Sequence, residues 1–512
     1  MMRVHNYTRN IFSLVARVVV IALFTHVLNA GVYVAPDGND INPGTIDLPF
    51  KTLSKGASAL KGNDTVFVRG GTYALSATIS ISKAGADTLQ YYIVAYPGEH
   101  PVFDFSAQTS SDGIKLNGMY WHVYGLEIFN SAHNGIAING SHNTVENCSL
   151  HDNRNTGLQL GNGASYNNII NCDSYNNYDP PLGGNADGFA PKLDVGTGNY
   201  FYGCRSWQNS DDGWDGYMRP ADNVTTTIEN CWSFMNGYLK DGSPIASGNG
   251  NGFKMGGGDN SNADSLRHNM ILKNCLSFDN RVKGYDQNNN RGSMTLLNCT
   301  AYRNGAENFK ISAFIRVTST LTVKNCVSVD GKVSLANFAI QQTNGWNGPF
   351  VITPDDFAGV DTTGIRGPRK PDGSLPDVQF VHLAAGSDLI NAGTDVGIPF
   401  IGSAPDLGAF EFGNVSGVVP SHRTAASFAL EQNFPNPFNP STTITYRMPA
   451  KGRVVMRVFD ILGTEITTLV DGVRDAGEYH VQFDGSTLSS GIYFYQVQTD
   501  AALQTKKMML LK

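Results

Sequence analysis

The sequence predicts an all-β protein, a right-handed parallel β-helix (a solenoid) followed by a small C-terminal β-sandwich. The chain of 512 residues contains 56 glycines, and asparagine is common between about residues 130 and 310. Short runs of Val, Ile, Thr, Tyr and Phe separate these turn-forming residues, which is a composition of strands rather than helices. A similar short pattern then recurs along the middle of the chain, with a minimal unit of about 24 residues.

The first 30 residues are predicted to be a signal peptide that is removed on export. Three arginines precede the apolar run VVVIALFTHVL (18–28), which is too short to span a bilayer. The small residue Ala30 marks the expected cleavage site. Because no other stretch has about 20 continuous apolar residues, we expect a soluble mature chain without a transmembrane segment, secreted or held at the cell surface.

Seven cysteines recur at one position of the repeat and do not suggest a disulfide framework. Each ends a strand-like run, as in VENC, IINC and LKNC. We therefore expect a column of buried free thiols, since an unpaired cysteine behaves as a small apolar side chain. Five residues after six of these cysteines comes an asparagine; these are Asn153, Asn177, Asn209, Asn236, Asn280 and Asn304.

A repeat of this length, with short strands and recurrent asparagine, favours a parallel β-helix. One coil cannot bury its apolar face alone, so stacked coils share a core, and the asparagines can form a hydrogen-bonded ladder. Leucine-rich repeats would need an LxxLxL pattern that is missing here, and a propeller would need longer units. We therefore predict a single solenoid domain over residues 31–412.

Residues 413–427 are predicted to be a linker and residues 428–512 a small β-sandwich. The linker is rich in Gly, Ser and Val without periodicity, and alternating strands such as RVVMRVFDI follow at sandwich spacing. PNPFNPSTTI, GIYFYQV and the terminal KKMMLLK resemble the C-terminal sorting domains of the type 9 secretion system. This resemblance implies passage through an export machinery; an accessory carbohydrate-binding or immunoglobulin-like module is the alternative.

The segment NSDDGWDGY (209–217) concentrates carboxylates in a chain that is only 16% charged. An acidic turn would be the simplest interpretation. Counted from the glycine that opens each short strand, however, Asp187 and Asp212 are equivalent on successive coils, with Asp211 and Asp215 beside them. Equivalent positions stack at about 4.8 Å, where two carboxylates repel by about 3.5 kcal/mol. Four carboxylates therefore need a cation, and oxygen ligands in this number favour Ca²⁺.

Lys254 is predicted to lie one coil beyond Asp215, with Asp286 on the next coil. It can be one member of a charge ladder, or a base whose amine loses its proton through burial and a nearby cation. Asp286 acts against the second role. The insertions 178–184 and 238–250, and the stretch GGGDNSNADSLRH after Lys254, are predicted to wall a groove along these strands, and loops gathered on one solenoid face mark a binding face.

A cation beside an amine base suits β-elimination of a uronic-acid polymer. The cation neutralises the C6 carboxylate and stabilises the enolate, while the amine removes the C5 proton and the bond to O4 breaks. The metal would also let a chain of net charge −7 bind an acidic polysaccharide, whereas that charge argues against nucleic acid. Residues predicted to contact further uronates are Lys192, Lys283, Arg291 and Lys310.

Four motifs resemble those of the pectate lyases of polysaccharide lyase family 9; they are NADGFAPKL, NSDDGWD, GNGNGFKMGG and KGYDQNNNRG. The resemblance extends over about residues 31–412. It implies a ten-coil parallel β-helix, a Ca²⁺ ion bound by four aspartates, a lysine base, and cleavage of polygalacturonate to 4,5-unsaturated oligogalacturonides. Carried over by motif, the ligands are Asp187, Asp211, Asp212 and Asp215, and the base is Lys254.

Three other functions stay open on the sequence. A lyase for alginate or a glycosaminoglycan is chemically close, and a substrate panel would separate it. A polygalacturonase-like hydrolase would use paired carboxylates and leave Lys254 without a role. The third is a surface adhesin that calcium stabilises and that has no activity. We expect the protein to be a monomer.

Overall fold

The computed structural model describes residues 31–245, 247–258, 265–413, 420–421, 428–430, 432–433, 436–448, 451–461, 463–474, 477–499 and 502–511. The predicted signal peptide and most of the predicted linker lie outside these residues. Within the described ranges, the chain has no helix with the length and apolar character that a membrane crossing requires.

Short strands stack into three long parallel sheets that form a right-handed β-helix. From Thr65 to Leu335, each coil contributes one strand to sheet 1, then one to sheet 2 and one to sheet 3, and sheet 1 has one further strand at each end. In the described part of the chain, sheet 1 consists of Gly31–Val34, Thr65–Val68, Tyr91–Ala95, Trp121–Tyr124, Thr144–Glu146, Asn168–Ile170, Asn199–Tyr202, Val224–Glu229, His268–Lys273, Met294–Leu297, Leu321–Lys324 and Ile340–Gln342.

Sheets 2 and 3 each have ten strands among the described residues. Sheet 2 consists of Gly71–Ala74, Pro101–Asp104, Glu127–Phe129, Ser149–His151, Asp173–Tyr175, Arg205–Trp207, Trp232–Phe234, Leu276–Phe278, Thr300–Tyr302 and Val327–Val329. Sheet 3 consists of Ile79–Ile81, Ile114–Leu116, Ile136–Ile138, Leu158–Leu160, Phe189–Pro191, Trp214–Asp215, Phe253–Lys254, Lys283–Asp286, Glu307–Ile311 and Val333–Leu335.

The core lies inside the coils, where alternate residues of all three sheets point inward. One helix, Leu53–Ala59, packs Leu53 and Ala57 against the first coils. Its N-terminus is capped by the Thr52 side chain, which accepts a hydrogen bond from the Lys55 N–H at 3.2 Å. The helix therefore covers apolar side chains at the N-terminal end of the solenoid.

The cysteines occupy the turn between sheets 1 and 2, and all seven are free and buried, which confirms the prediction. Asparagine precedes six of them because this turn needs a left-handed backbone, which asparagine adopts more readily than most residues. Glycine takes the same place before Cys204, at Gly203 with φ 63°. The six asparagines, all with positive φ, are Asn147, Asn171, Asn230, Asn274, Asn298 and Asn325.

The predicted asparagine ladder is confirmed at the turn between sheets 2 and 3. The amide of Asn177 donates to Asn209 Oδ1 at 2.7 Å, and that of Asn209 donates to Asn236 Oδ1 at 3.0 Å. The ladder continues with one such bond per coil to Asn304, whose amide donates to Asn308 Oδ1 at 2.9 Å. The ladder thus satisfies a column of buried amides and fixes the turn that leads into sheet 3.

After the last coil, the chain folds back over the outer face of sheet 2. Phe380 packs on Phe278, with ring centroids 4.6 Å apart, and Arg369 pairs with Asp173 at 2.7 Å. The segment contains one short 3₁₀ helix, Pro354–Asp356. The segment therefore covers sheet 2, whereas the predicted functional residues lie at sheet 3.

The C-terminal part forms two four-stranded antiparallel sheets around a separate apolar core, so the predicted fold class is confirmed. One sheet consists of Pro420–Ser421, Gly477–Asp484, Ser441–Met448 and Ala429–Leu430. The other consists of Glu465–Arg474, Gly452–Phe459, Gly491–Thr499 and Leu503–Leu510.

Candidate active site

Stacked aromatic residues fix which side chains sheet 3 presents to its outer face. Trp214 and Phe253 are buried in the core with ring centroids 4.8 Å apart. Since successive side chains of a strand point to opposite faces, Asp215 and Lys254 point outward. Asp215 pairs with Lys254, and Lys254 pairs with Asp286, which confirms that these three residues stack on successive coils as predicted.

Three aspartates from two successive coils form a buried cluster at sheet 3. Asp187, Asp212 and Asp215 offer carboxylate oxygens that all lie within 4.8 Å of one another, and none of the three is more than 4% exposed. The Asp212 N–H donates to Asp187 Oδ1 at 3.2 Å, which ties the two successive coils together. The Tyr217 N–H donates to Asp215 Oδ1 at 3.0 Å and orients the third carboxylate.

Asp211, the fourth predicted ligand, lies next to this cluster but is not one of the three. Its Oδ1 accepts a hydrogen bond from the Asn249 N–H at 2.5 Å. Burial, reinforced by the negative charge of Asp212, raises the pKa of Asp211 well above its ordinary value. Its part in metal binding stays a prediction.

Two ammonium groups contact the cluster. Lys192 Nζ lies 2.6 Å from Asp187 Oδ2 and 3.5 Å from Asp215 Oδ2. Lys254 Nζ lies 3.1 Å from Asp212 Oδ2 and 3.2 Å from Asp215 Oδ1. Both lysines are buried, so the structure places Lys192, predicted as a substrate contact, at the carboxylates themselves.

Burial and neighbouring charges shift the pKa values of these aspartates and lysines in different directions. Burial raises the pKa of Asp187 to about 7, against the opposing charge of Lys192. For Asp215 the two ammonium groups outweigh burial, and its pKa is lowered. Burial alone would lower the pKa of Lys254, but Asp215 and the other carboxylates raise it well above its ordinary value. The carboxylates therefore favour the protonated form of Lys254, and positive charge that engages them would lower its pKa.

The donor set fits a hard divalent cation. Asp212 Oδ2 is buried, and it forms an ion pair with Lys254 Nζ at 3.1 Å but accepts no hydrogen bond from the described residues. Asn251 donates its amide to Asp212 Oδ1 at 2.9 Å, and its own Oδ1 is buried without a hydrogen-bond partner in the described residues. Clustered carboxylate oxygens are the ligands that Ca²⁺ prefers.

Loops gather on both sides of these strands. On the side where the strands begin, Ile245 of the insertion 238–250 packs against Gly183, where an added Cβ would come within 2.6 Å of its side chain. On the other side, the Met218 N–H donates to the Gly257 carbonyl at 2.7 Å. The stretch predicted to wall this side includes residues 259–264, which lie outside the described residues.

The other predicted substrate contacts differ in their surroundings. Lys283 Nζ lies 3.1 Å from Asp286 Oδ1, and Lys310 Nζ lies 3.4 Å from Glu307 Oε2; both lysines are in sheet 3. Arg291 is buried, and its Nη1 donates to the Phe314 carbonyl at 3.0 Å. Contact of Lys192, Lys283, Arg291 and Lys310 with substrate stays a prediction.

Two residues near the cluster were not predicted from the sequence: Tyr217, which lies beside Lys254, and Arg219, which contacts Tyr217. The Tyr217 ring centroid lies 5.8 Å from Lys254 Nζ, and the exposed Arg219 donates from Nη2 to the Tyr217 hydroxyl at 2.8 Å. Tyr217 and Arg219 come two and four residues after Asp215 in DGYMR, and this proximity in the sequence is the signal that could have found them.

Comparison with known proteins identifies the family. Residues 32–332 match the family described as Pel9A-like, right handed beta helix region. The chain belongs to this family. Residues 432–511 match the secretion system C-terminal sorting domain. Both resemblances predicted from the motifs are thereby confirmed.

Similar proteins cover most of the Pel9A-like region. Pectate lyase L of Dickeya dadantii (strain 3937) is 40% identical over 392 residues, which covers 74% of this chain and 90% of that protein. The crystal structure of pectate lyase Pel9A is 39% identical, with a TM-score of 0.69, over 74% of this chain and 96% of the other. A rhamnogalacturonan lyase is 28% identical, with a TM-score of 0.63, over 70% and 98%.

Proposed function

We propose that the protein is a calcium-dependent pectate lyase that cleaves polygalacturonate by β-elimination to 4,5-unsaturated oligogalacturonides. Its family membership makes it a polysaccharide lyase, and pectate lyase is the name of several relatives. One observation carries the proposal: the Lys254 ammonium lies against two carboxylates of a buried aspartate cluster on sheet 3. A candidate base therefore lies in direct contact with a candidate cation site.

Asp187, Asp212 and Asp215 would hold the calcium ion, with Asp211 as the fourth ligand. Bound Ca²⁺ would neutralise a uronate carboxylate and stabilise the negative charge that develops beside it. Residues of the chain itself carry out the remaining steps. When the carboxylates no longer hold the Lys254 proton, burial favours its neutral amine.

Lys254 then acts as the general base. Its Nζ takes the proton from C5 of the uronate, and the electron pair of that C–H bond forms the C4–C5 double bond. The bond between C4 and O4 breaks, and O4 leaves with the other part of the polymer and a solvent proton. Tyr217 limits the space around Nζ, and the loops that carry Ile245 and Met218 flank the strands.

Substrate contacts and location complete the proposal. Lys192, Lys283, Arg291 and Lys310 are proposed to bind carboxylates of neighbouring uronates. The sorting domain indicates export to the cell surface or the medium. We propose residues 1–30 as the signal peptide, 31–412 as the catalytic domain, 413–427 as the linker and 428–512 as the sorting domain.

The test is incubation of the full chain with polygalacturonate while ultraviolet absorbance is recorded. An unsaturated product absorbs, so we expect a rise that stops on addition of a chelator and returns with excess Ca²⁺. New reducing ends without absorbance would instead show a hydrolase and overturn the proposal. Unchanged activity after chelation would remove the calcium requirement alone.

A lyase for rhamnogalacturonan is the second candidate, because a solved protein of that name covers 70% of the chain at 28% identity. A panel of polygalacturonate, rhamnogalacturonan, alginate and a glycosaminoglycan decides between them. The highest kcat/KM on polygalacturonate supports the first proposal. A higher value on rhamnogalacturonan would transfer it to the second.

A further inference from the structure

We propose that His268 is a positioning residue for this reaction, an inference that rests on the proposed function. Its imidazole fixes the turn at Gly216, which joins the metal-site carboxylate of Asp215 to Tyr217. His268 begins a sheet 1 strand and is fully buried, with 0% of its surface exposed. It is thus a buried histidine that the proton-transfer steps do not use.

The hydrogen bonds of the ring define its tautomer. His268 Nδ1 lies 2.9 Å from the Gly216 carbonyl oxygen, and Nε2 lies 2.8 Å from Thr226 Oγ1. A carbonyl oxygen only accepts, so Nδ1 carries the hydrogen and Nε2 accepts from the threonine hydroxyl. Burial lowers the pKa of His268 to about 4, which keeps the ring neutral and this arrangement constant in neutral solution.

Gly216 is held from two sides. Its N–H donates to the Lys254 carbonyl at 2.9 Å, while its carbonyl accepts from His268. The strands Trp214–Asp215 and Phe253–Lys254 have only two residues each, so few ladder bonds hold them. The imidazole therefore supplies a fixed point immediately after the two residues on which the proposed chemistry depends.

Asn290 extends this support to the strand of the base. Its Oδ1 accepts from the His268 N–H at 3.0 Å, and its amide donates to the Met255 carbonyl at 2.8 Å. The residue after Lys254 and the residue after Asp215 are thus tied to one buried network. Loss of an outer partner of this kind costs about 10–100-fold in metal affinity or activity, and a misplacement of about 1 Å can cost about 100-fold in rate.

A matched pair of substitutions separates positioning from packing. In His268→Asn, the amide nitrogen can take the place of Nδ1 and keep the bond to Gly216. In His268→Gln, the amide reaches the place of Nε2, so the Thr226 contact is kept and the Gly216 carbonyl loses its donor. Both variants remove the ring, so we expect similar falls in thermal midpoint.

The readouts are Ca²⁺ affinity by calorimetry of the full chain, kcat/KM on polygalacturonate, and the thermal midpoint. We expect His268→Gln to lose about 10–100-fold in Ca²⁺ affinity and about 100-fold in kcat/KM, and His268→Asn to stay within about five-fold of wild type. Equal losses in both variants, or wild-type values in His268→Gln, would overturn the positioning role. If wild type lacks the activity but binds Ca²⁺, the affinity comparison still decides.

If neither variant folds, Gly216→Ala tests the same contact from the opposite side. An added Cβ would lie 3.0 Å from His268 Nδ1 and 3.1 Å from the Gly256 nitrogen, so the turn must shift away from the imidazole and from the backbone that follows Lys254, while the buried imidazole is retained. We expect a folded chain with about ten-fold weaker Ca²⁺ binding. Wild-type Ca²⁺ affinity in this variant would overturn the proposal.

Discussion

The asparagine ladder and the aspartate cluster are two sets of buried polar side chains on neighbouring positions of the same coils. In the ladder, Asn177 donates to Asn209 at 2.7 Å and Asn209 donates to Asn236 at 3.0 Å. An amide both donates and accepts, so a column of identical amides satisfies itself. Carboxylates only accept, so they cannot satisfy one another, and Asp212 Oδ2 has an ion pair with Lys254 but no hydrogen bond from the described residues.

The difference shows which buried polar groups serve the fold and which serve a ligand. The ladder needs nothing from outside the chain, since each coil supplies the partner for the next. The cluster needs positive charge, which Lys192 and Lys254 supply in part through contacts of 2.6 and 3.1 Å. Substitutions in the two sets should therefore affect different measurements, stability for the ladder and Ca²⁺ binding or turnover for the cluster.

The largest expected effect follows from Lys254→Ala. Removal of a general base typically costs about 10²–10⁴-fold in rate, and we expect kcat on polygalacturonate to fall by about 10³-fold. Ca²⁺ binding should persist, because the carboxylates stay. Lys324→Ala, in a sheet 1 strand, is the matched control. Full turnover in Lys254→Ala would show that another group is the base.

Asp212→Asn should give the next largest effect, on Ca²⁺ binding. The substitution keeps the size of the side chain but removes a charge from the cluster. We expect Ca²⁺ affinity, measured by calorimetry, to fall by at least about 10–100-fold, the loss typical of an outer-shell partner.

Asp279→Asn is the control for that change. Asp279 pairs with Arg303 at 2.7 Å and lies outside the cluster, so its loss should leave Ca²⁺ affinity at the wild-type value. Wild-type affinity in Asp212→Asn would place the calcium site elsewhere, and an equal loss in both variants would show that the loss is not specific to the cluster.

The stacking of Asp215, Lys254 and Asp286 in sheet 3 could be predicted because strand geometry is regular. Side chains alternate with a period of two and coils stack in register, so a glycine followed by an aromatic residue places Asp215 beneath Lys254. The asparagine ladder and the cysteine column followed from the same register. Neither prediction required knowledge of the loops.

The remaining features depend on contacts that the repeat does not encode. Lys192 follows its sheet 3 strand, and the turn there decides that its ammonium reaches Asp187. His268 meets Gly216 across an irregular connection between sheets. The segment that contains Phe380 has no repeat, so its packing on sheet 2 could not be predicted.

Asn304→Ala tests the ladder itself. It removes the acceptor of the Asn280 amide and N–H, at 2.9 and 3.2 Å. An unsatisfied buried donor costs about 1–3 kcal/mol, so we expect a loss of about 2 kcal/mol in urea denaturation with unchanged kcat and Ca²⁺ affinity. Asn304→Asp should cost more near neutral pH, because a carboxylate would face Asn308 Oδ1. A larger effect on turnover than on stability would contradict the structural role of the ladder.

The smallest effect should come from charges that are paired but partly exposed. Glu127 in sheet 2 accepts contacts from His151 Nε2 at 3.2 Å and His100 Nε2 at 2.6 Å. The hydrogen bond from His151 lowers the pKa of Glu127 to about 2. For His151, burial is outweighed by the hydrogen bonds to Asp152 and Glu127, and its pKa is raised.

The two shifts set a pH window for Glu127→Gln. A lowered carboxyl pKa stabilises the fold above the ordinary value of 4.5, and this contribution is lost as pH falls towards about 2. The raised pKa of His151 gives a contribution that is full below 6.5 and lost as pH rises through the folded-state value. Urea denaturation should therefore show the largest loss near pH 5.5, of about 1 kcal/mol or less because solvent screens the pairs, and smaller losses near pH 3 and pH 9. An equal loss at all three values would mean that packing, and not charge, accounts for the contribution of Glu127, which would place it with the neutral ladder and not with the cluster.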